Sequence, residues 1–129
     1  MRVLALDYGA ARTGVAVSDA TATIARPLEV VTRASEPAGL ERIAGLVREH
    51  DAVLVVVGLP LTLRGERGEQ ARETEEFVSR LRGALDVPVE TYDERFTTKL
   101  AAARPGESAE DARAAAHLLE SYLARAGSA

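Results

Sequence analysis

Three stretches of this 129-residue chain place acidic residues where an apolar element has no use for them. In VLALDYGAARTGVAVSD, Asp7 ends an apolar run from Val3 to Leu6 that reads as a buried strand, and a buried carboxylate is expensive unless something pairs with it. Strand alternation puts Val3, Ala5 and Asp7 on one side. In VETYDERFTT, Asp93 and Glu94 follow another strand, and alternation sends them to opposite faces. At most one of them is expected to point where Asp7 points, and periodicity does not choose between them. In SAEDARAAAHLLESYL, Asp111 heads a helical stripe of Ala115, Leu118, Leu119 and Tyr122 that should face the sheet, while Glu110 should point elsewhere.

Each stretch also has a purely structural explanation. Asp7 would accept backbone amides of the turn at Gly9. Asp93 and Glu94 would pair with Arg95 and cap a helix near Thr97. Ser108 and Asp111 have the S-x-x-D spacing of a helix N-terminus. Taken together, three carboxylates at one end of a sheet make an all-oxygen site suited to Mg²⁺ or Mn²⁺. Two such ions, about 4 Å apart, can promote phosphodiester hydrolysis without a histidine base. The rest of the composition leaves few other chemistries. The chain has no cysteine, so it has no thiolate ligand and no disulfide, and His50 and His117 are its only imidazoles.

The elements that must position these acids follow from patterning. Arg2 to Tyr8 and Thr13 to Ser18 read as strands joined by a tight turn, with a third strand from about Leu28 to Thr32. Three successive strands without a helix imply an antiparallel meander. Ser35 is placed to cap a helix from Glu36 to Glu49. AVLVVVGLP is continuously apolar, as expected of a parallel strand covered on both faces. Ala71, Thr74, Phe77, Val78, Leu81 and Leu85 stripe the next helix, and Val87 to Tyr92 forms the fifth strand. A short helix is expected near Thr97 and a final one from Ala109 to Ala126. The economical packing is one α/β domain over residues 1–129, a five-stranded mixed sheet with helices on both faces.

LALDYGAARTGVAVSD, VVVGLPLTLRGERGEQA, TYDERFTT and EDARAAAHLLESYL resemble the successive signature segments of the YqgF/RuvX family, pre-16S rRNA nucleases related to Holliday-junction resolvases. The resemblance spans nearly the whole chain. It implies a ribonuclease H-like fold and an acidic site of Asp7, Glu94 and Asp111 that binds Mg²⁺ or Mn²⁺, which favours Glu94 over Asp93. It places Arg12, Arg64, Arg67 and Arg95 in loops that would hold substrate phosphates. The chain departs from the family pattern in the short FTTKLAAARPGESAE, which lacks the lysine-rich loop many relatives carry between D-E-R and the final acid.

Nucleic acid is therefore the expected partner, either precursor ribosomal RNA, with a ribosome precursor as its setting, or branched DNA. Symmetric junction cleavage would require a homodimer rather than a monomer. The net charge of −4 argues against indiscriminate nucleic-acid binding, and the five Phe and Tyr residues offer few stacking platforms. The N-terminal apolar run is too short to span a membrane and no leader precedes it, so a cytoplasmic location is expected. Two other functions compete. D-x-G after a first strand also resembles the phosphate loop of actin-like ATPases and sugar kinases, but those close two lobes and leave D-E-R unexplained. A non-catalytic binding module of the same fold would keep the architecture without the metal.

Overall fold

The computed structural model describes residues 1–97 and 108–127. Its elements are β1 (Arg2–Asp7), β2 (Arg12–Ser18), β3 (Ala25–Thr32), α1 (Pro37–Glu49), β4 (Ala52–Leu59), α2 (Glu69–Ala84), β5 (Val89–Asp93), a single 3₁₀ turn (Glu94–Phe96) and α3 (Ser108–Gly127). The strands form one sheet in the order β3-β2-β1-β4-β5. β1 pairs antiparallel with β2, and β2 with β3, while β4 runs parallel to both β1 and β5. The C-terminal ends of β1, β4 and β5 therefore share one edge of the sheet.

Side-chain alternation divides the core. Leu4, Leu6, Val15, Val17, Val55 and Val57 face α1 and α2 and pack against Ile43, Leu46, Phe77 and Leu81. Full burial of each larger side chain contributes about 1.5–3 kcal/mol. Val3, Ala5, Ala16 and Val56 face the other way, against Ala115, Ala116, Leu118 and Leu119 of α3. This second layer is rich in alanine, so α3 approaches the sheet closely. β1 and β4 are covered on both faces, which is why neither shows a simple apolar/polar alternation.

The boundaries differ from the sequence expectation in places with identifiable causes. β3 begins at Ala25 and runs through Pro27, which an edge strand tolerates because its N–H is not needed there. Its register shifts between Val15 and Ala16 of β2, as in a bulge. α1 starts at Pro37, with Glu36 rather than Ser35 as N-cap and no side-chain cap bond, because proline presets the first helical turn. β5 starts at Val89, after Pro88, and ends at Asp93. Of the helix expected near Thr97, the described residues hold only the 3₁₀ turn Glu94–Phe96, and residues 98–107 lie outside them.

Candidate active site

Asp7 is the last residue of β1 and continues the side of Val3 and Ala5, the face covered by α3. Its antiparallel partner is Gly14, on the same face. A Cβ at Gly14 would lie 1.8 Å from the carbonyl oxygen of Asp111, so the first turn of α3 rests directly on the Gly14 backbone. On the other side of Asp7 runs β4, where Leu6 pairs with Val57 and Gly58 follows, facing α3 as Val56 does. The Glu94 side chain lies over Gly58, its Oε1 2.6 Å from where a Cβ would be. Two glycines thus flank Asp7 on adjacent strands, one beneath Asp111 and the other beneath Glu94. All three carboxylate-bearing residues sit on one face at one edge of the sheet.

Sequence reading passed over the two glycines, although a glycine inside an apolar strand is itself a signal of close approach. Glu110, expected to point elsewhere than the apolar stripe, has one carboxylate oxygen that is buried and has no hydrogen bond among the described residues. Helical periodicity gives an angle about the axis, and at a first turn it does not reveal which neighbouring segment covers that side.

Asp93 has a different environment from Glu94. It accepts the Arg95 backbone N–H at 2.9 Å, capping the 3₁₀ turn, and it accepts the Arg95 guanidinium through Nε at 2.9 Å and Nη2 at 2.6 Å. The Arg95 guanidinium holds the Asp93 carboxyl below its ordinary pKa. Arg95 also donates to the Leu63 carbonyl at 3.4 Å, tying the β4–α2 loop to the end of β5. The sign of the resulting pH dependence is fixed. A lowered carboxylate pKa stabilises the fold above the unfolded value and is lost as pH falls through the folded one. Asp93→Asn should melt below wild type at neutral pH, and the difference should close as the pH falls below about 4, read by thermal denaturation across pH.

Asp111 meets Arg12, whose Nε lies 3.3 Å from Oδ2. The approach is not aligned as a hydrogen bond, so this buried oxygen has a charged neighbour but no donor. The capping alternative for Ser108 is not addressed, because that side chain lies outside the described residues. Arg67 pairs with Glu75 at 3.3 Å, and Arg64 is exposed and makes no ion pair among the described residues. Arg64 sits with Leu63 at the tip of a turn closed by the Gly65 N–H to the Thr62 carbonyl at 2.8 Å, with Gly65 in the left-handed region at φ 81°. These basic residues follow β4 and so belong to the carboxylate edge. His50 lies just after α1 and His117 within α3, where it approaches Glu120.

The donor set suits a hard divalent cation, since it consists of carboxylate oxygens and includes a buried, unbonded one at Asp111. As the side chains stand, no three acidic or imidazole groups among the described residues are gathered around one point, and a guanidinium holds Asp111. The chemistry of these donors fits such an ion.

A mixed sheet in this order, with carboxylates at the C-terminal edge of its central strand and a helix carrying a further acid across that edge, defines a ribonuclease H-like fold. The fold is shared with Thermus thermophilus RuvC in complex with a Holliday junction substrate, with a TM-score of 0.60 and 22% identity over 98% of this chain and 96% of that one. A family model described as "RuvX: Holliday junction resolvase" matches residues 1–125, and the chain belongs to that family. A Rubrobacter xylanophilus protein named "Putative pre-16S rRNA nuclease" is 47% identical, over 99% of this chain and 96% of its own length. A Chloroflexus aurantiacus protein of the same name is 49% identical, with the match covering 74% of this chain and 63% of the relative. Among the described residues no helix is long and apolar enough to cross a membrane.

Proposed function

We propose that this chain is a divalent-metal-dependent nuclease that hydrolyses phosphodiester bonds at the 5′ end of precursor 16S rRNA in the cytoplasm. The observation that carries the reading is the convergence of Asp7, Glu94 and Asp111 on one face, with Gly14 and Gly58 clearing the space. Asp7, Glu94 and Asp111 would hold Mg²⁺ or Mn²⁺. Bound there, a pair of such ions would activate water and stabilise charge on phosphorus. Arg64 and Arg67 present guanidiniums suited to bidentate phosphate contacts beside that edge. The names of the curated relatives support the ribosomal substrate, whereas the family description favours a second reading, cleavage of branched DNA.

One assay separates these readings: Mn²⁺-dependent cleavage of precursor RNA, single-stranded RNA and a four-way DNA junction side by side. Preferential cutting of the precursor is expected. Preferential cutting of the junction would move the substrate to DNA, and no cleavage of any of them would leave a binding module. The geometry of Gly58 supplies an internal check. In Gly58→Ala the three atoms nearest the new methyl all belong to the flexible Glu94 side chain, with Oε1 at 2.6 Å and Cγ at 2.9 Å. The fold should therefore survive while Glu94 is displaced, giving a melting temperature near wild type and at least about tenfold slower cleavage, equivalent to about 1.4 kcal/mol at the transition state.

A further inference from the structure

We infer that Arg12 is an internal counter-cation of this site, which occupies Asp111 in place of a divalent ion and gives it up when a phosphate offers the guanidinium another partner. The inference rests on the nuclease reading and concerns how its cation site is loaded. Three observations carry it. Arg12 Nε stands 3.3 Å from Asp111 Oδ2, close enough for strong charge attraction, yet without the alignment of a hydrogen bond. The Arg12 and Asp111 side chains are 37% and 30% exposed, so the pair borders solvent although Oδ2 itself is buried. Asp111 belongs to the three carboxylate-bearing residues on this edge, so a guanidinium at its Oδ2 stands where a cation held by that oxygen would have to bind.

The position of Arg12 explains why it can do this. It is the first residue of β2, two before the Gly14 on which the Asp111 backbone rests, so strand and helix bring the pair together across nearly a hundred residues of sequence. A divalent cation at Asp111 and a guanidinium within ion-pair distance of the same oxygen repel each other. One must leave. A phosphodiester entering the edge provides an acceptor whose geometry matches the guanidinium fork better than the single misaligned contact does. Cation and nucleic acid should therefore bind with positive coupling transmitted through Arg12, and by linkage each should strengthen the other equally.

The test is calorimetric titration of the whole chain with Mn²⁺ alone, without nucleic acid. Arg12→Gln should bind Mn²⁺ about three- to tenfold more tightly than wild type, the range expected from losing a partly exposed competing pair and a nearby like charge. Arg12→Lys, which keeps the charge, should stay near wild type. In an Asp111→Asn background the Arg12→Gln gain should vanish, since the competition is for that carboxylate. Unchanged or weaker Mn²⁺ binding in folded Arg12→Gln would overturn the inference, as would equal tightening in Arg12→Lys. Should Arg12→Gln fail to fold, Arg12→Met keeps the aliphatic stem and reads the same competition. Failure of the underlying reading looks different: neither wild type nor variants would bind Mn²⁺, and cleavage would be absent or metal-independent.

Discussion

Asp7→Asn is expected to reduce Mn²⁺-supported cleavage by at least about a hundredfold while melting at or slightly above the wild-type temperature. The change keeps the shape of the side chain and removes one negative charge from the position between Gly14 and Gly58, beside both of the other acids. Metal-assisted hydrolysis draws several kcal/mol of transition-state stabilisation from its ions, and each 1.4 kcal/mol is about tenfold in rate, so losing about 2.8 kcal/mol of it gives the expected hundredfold. Stability should move the other way. The amide keeps the shape of the carboxylate and lowers the negative charge on a face that carries three acidic residues. Asp86→Asn, between α2 and β5 at the opposite edge, controls for a general charge effect and should cleave normally. If Asp7 served only to bind the turn at Gly9, Asp7→Asn would keep full activity and Asp7→Ala would lose about 0.5–2 kcal/mol of stability, as a lost cap does. Cleavage rates at limiting Mn²⁺ together with thermal melts distinguish the two outcomes.

How far the sequence could be read depended on whether a feature is local. The side of β1 that carries Asp7 follows from alternation alone, because Val3 and Ala5 fix the face and Asp7 is still inside the strand. The burial of β4 on both faces follows from its unbroken apolar run, and the alanine stripe of α3 from its period. The choice between Asp93 and Glu94 did not follow from residue pattern, since it depends on where β5 stops. Asp93 ends the strand and turns back to cap the 3₁₀ turn, and Glu94 is the first residue of that turn, beyond the region where alternation applies. The resemblance to the family supplied the preference for Glu94. The Arg12–Asp111 pair was out of reach for another reason: it joins residues distant in sequence through the docking of α3 on β2, and no local rule encodes that. Ser35 shows the limit of single-residue signals, because Pro37 sets the start of α1 whatever precedes it.

Gly14→Ala should have the largest effect on stability of any single methyl added to the glycines among the described residues, lowering unfolding free energy by about 3 kcal/mol or more, and it should reduce cleavage beyond what the unfolded fraction accounts for. A Cβ there would meet the Asp111 carbonyl oxygen at 1.8 Å, its carbon at 2.4 Å and the Ala112 nitrogen at 3.0 Å. All three atoms are backbone of a helix, so no side chain can rotate away, and α3 must lift from β2. Overpacking alone is worth about 1–3 kcal/mol. Lifting the helix also loosens Ala115, Leu118 and Leu119 against Ala5 and Ala16, adding lost packing to the strain. The same movement carries Asp111 away from Asp7, which is why activity should fall further than stability predicts. Gly45→Ala gives the contrast. In the middle of α1 its Cβ would find nothing closer than Arg48 Nη2 at 3.9 Å, so the substitution should stabilise by about 0.5–1 kcal/mol through helix propensity and leave cleavage unchanged. Opposite signs for one chemical change at two glycines, measured by denaturant unfolding, would show that α3 sits on β2 because Gly14 leaves room for it. A Gly14→Ala variant as stable and active as wild type would mean that Asp111 is not held by that contact, and the three-carboxylate edge would have to be assembled some other way.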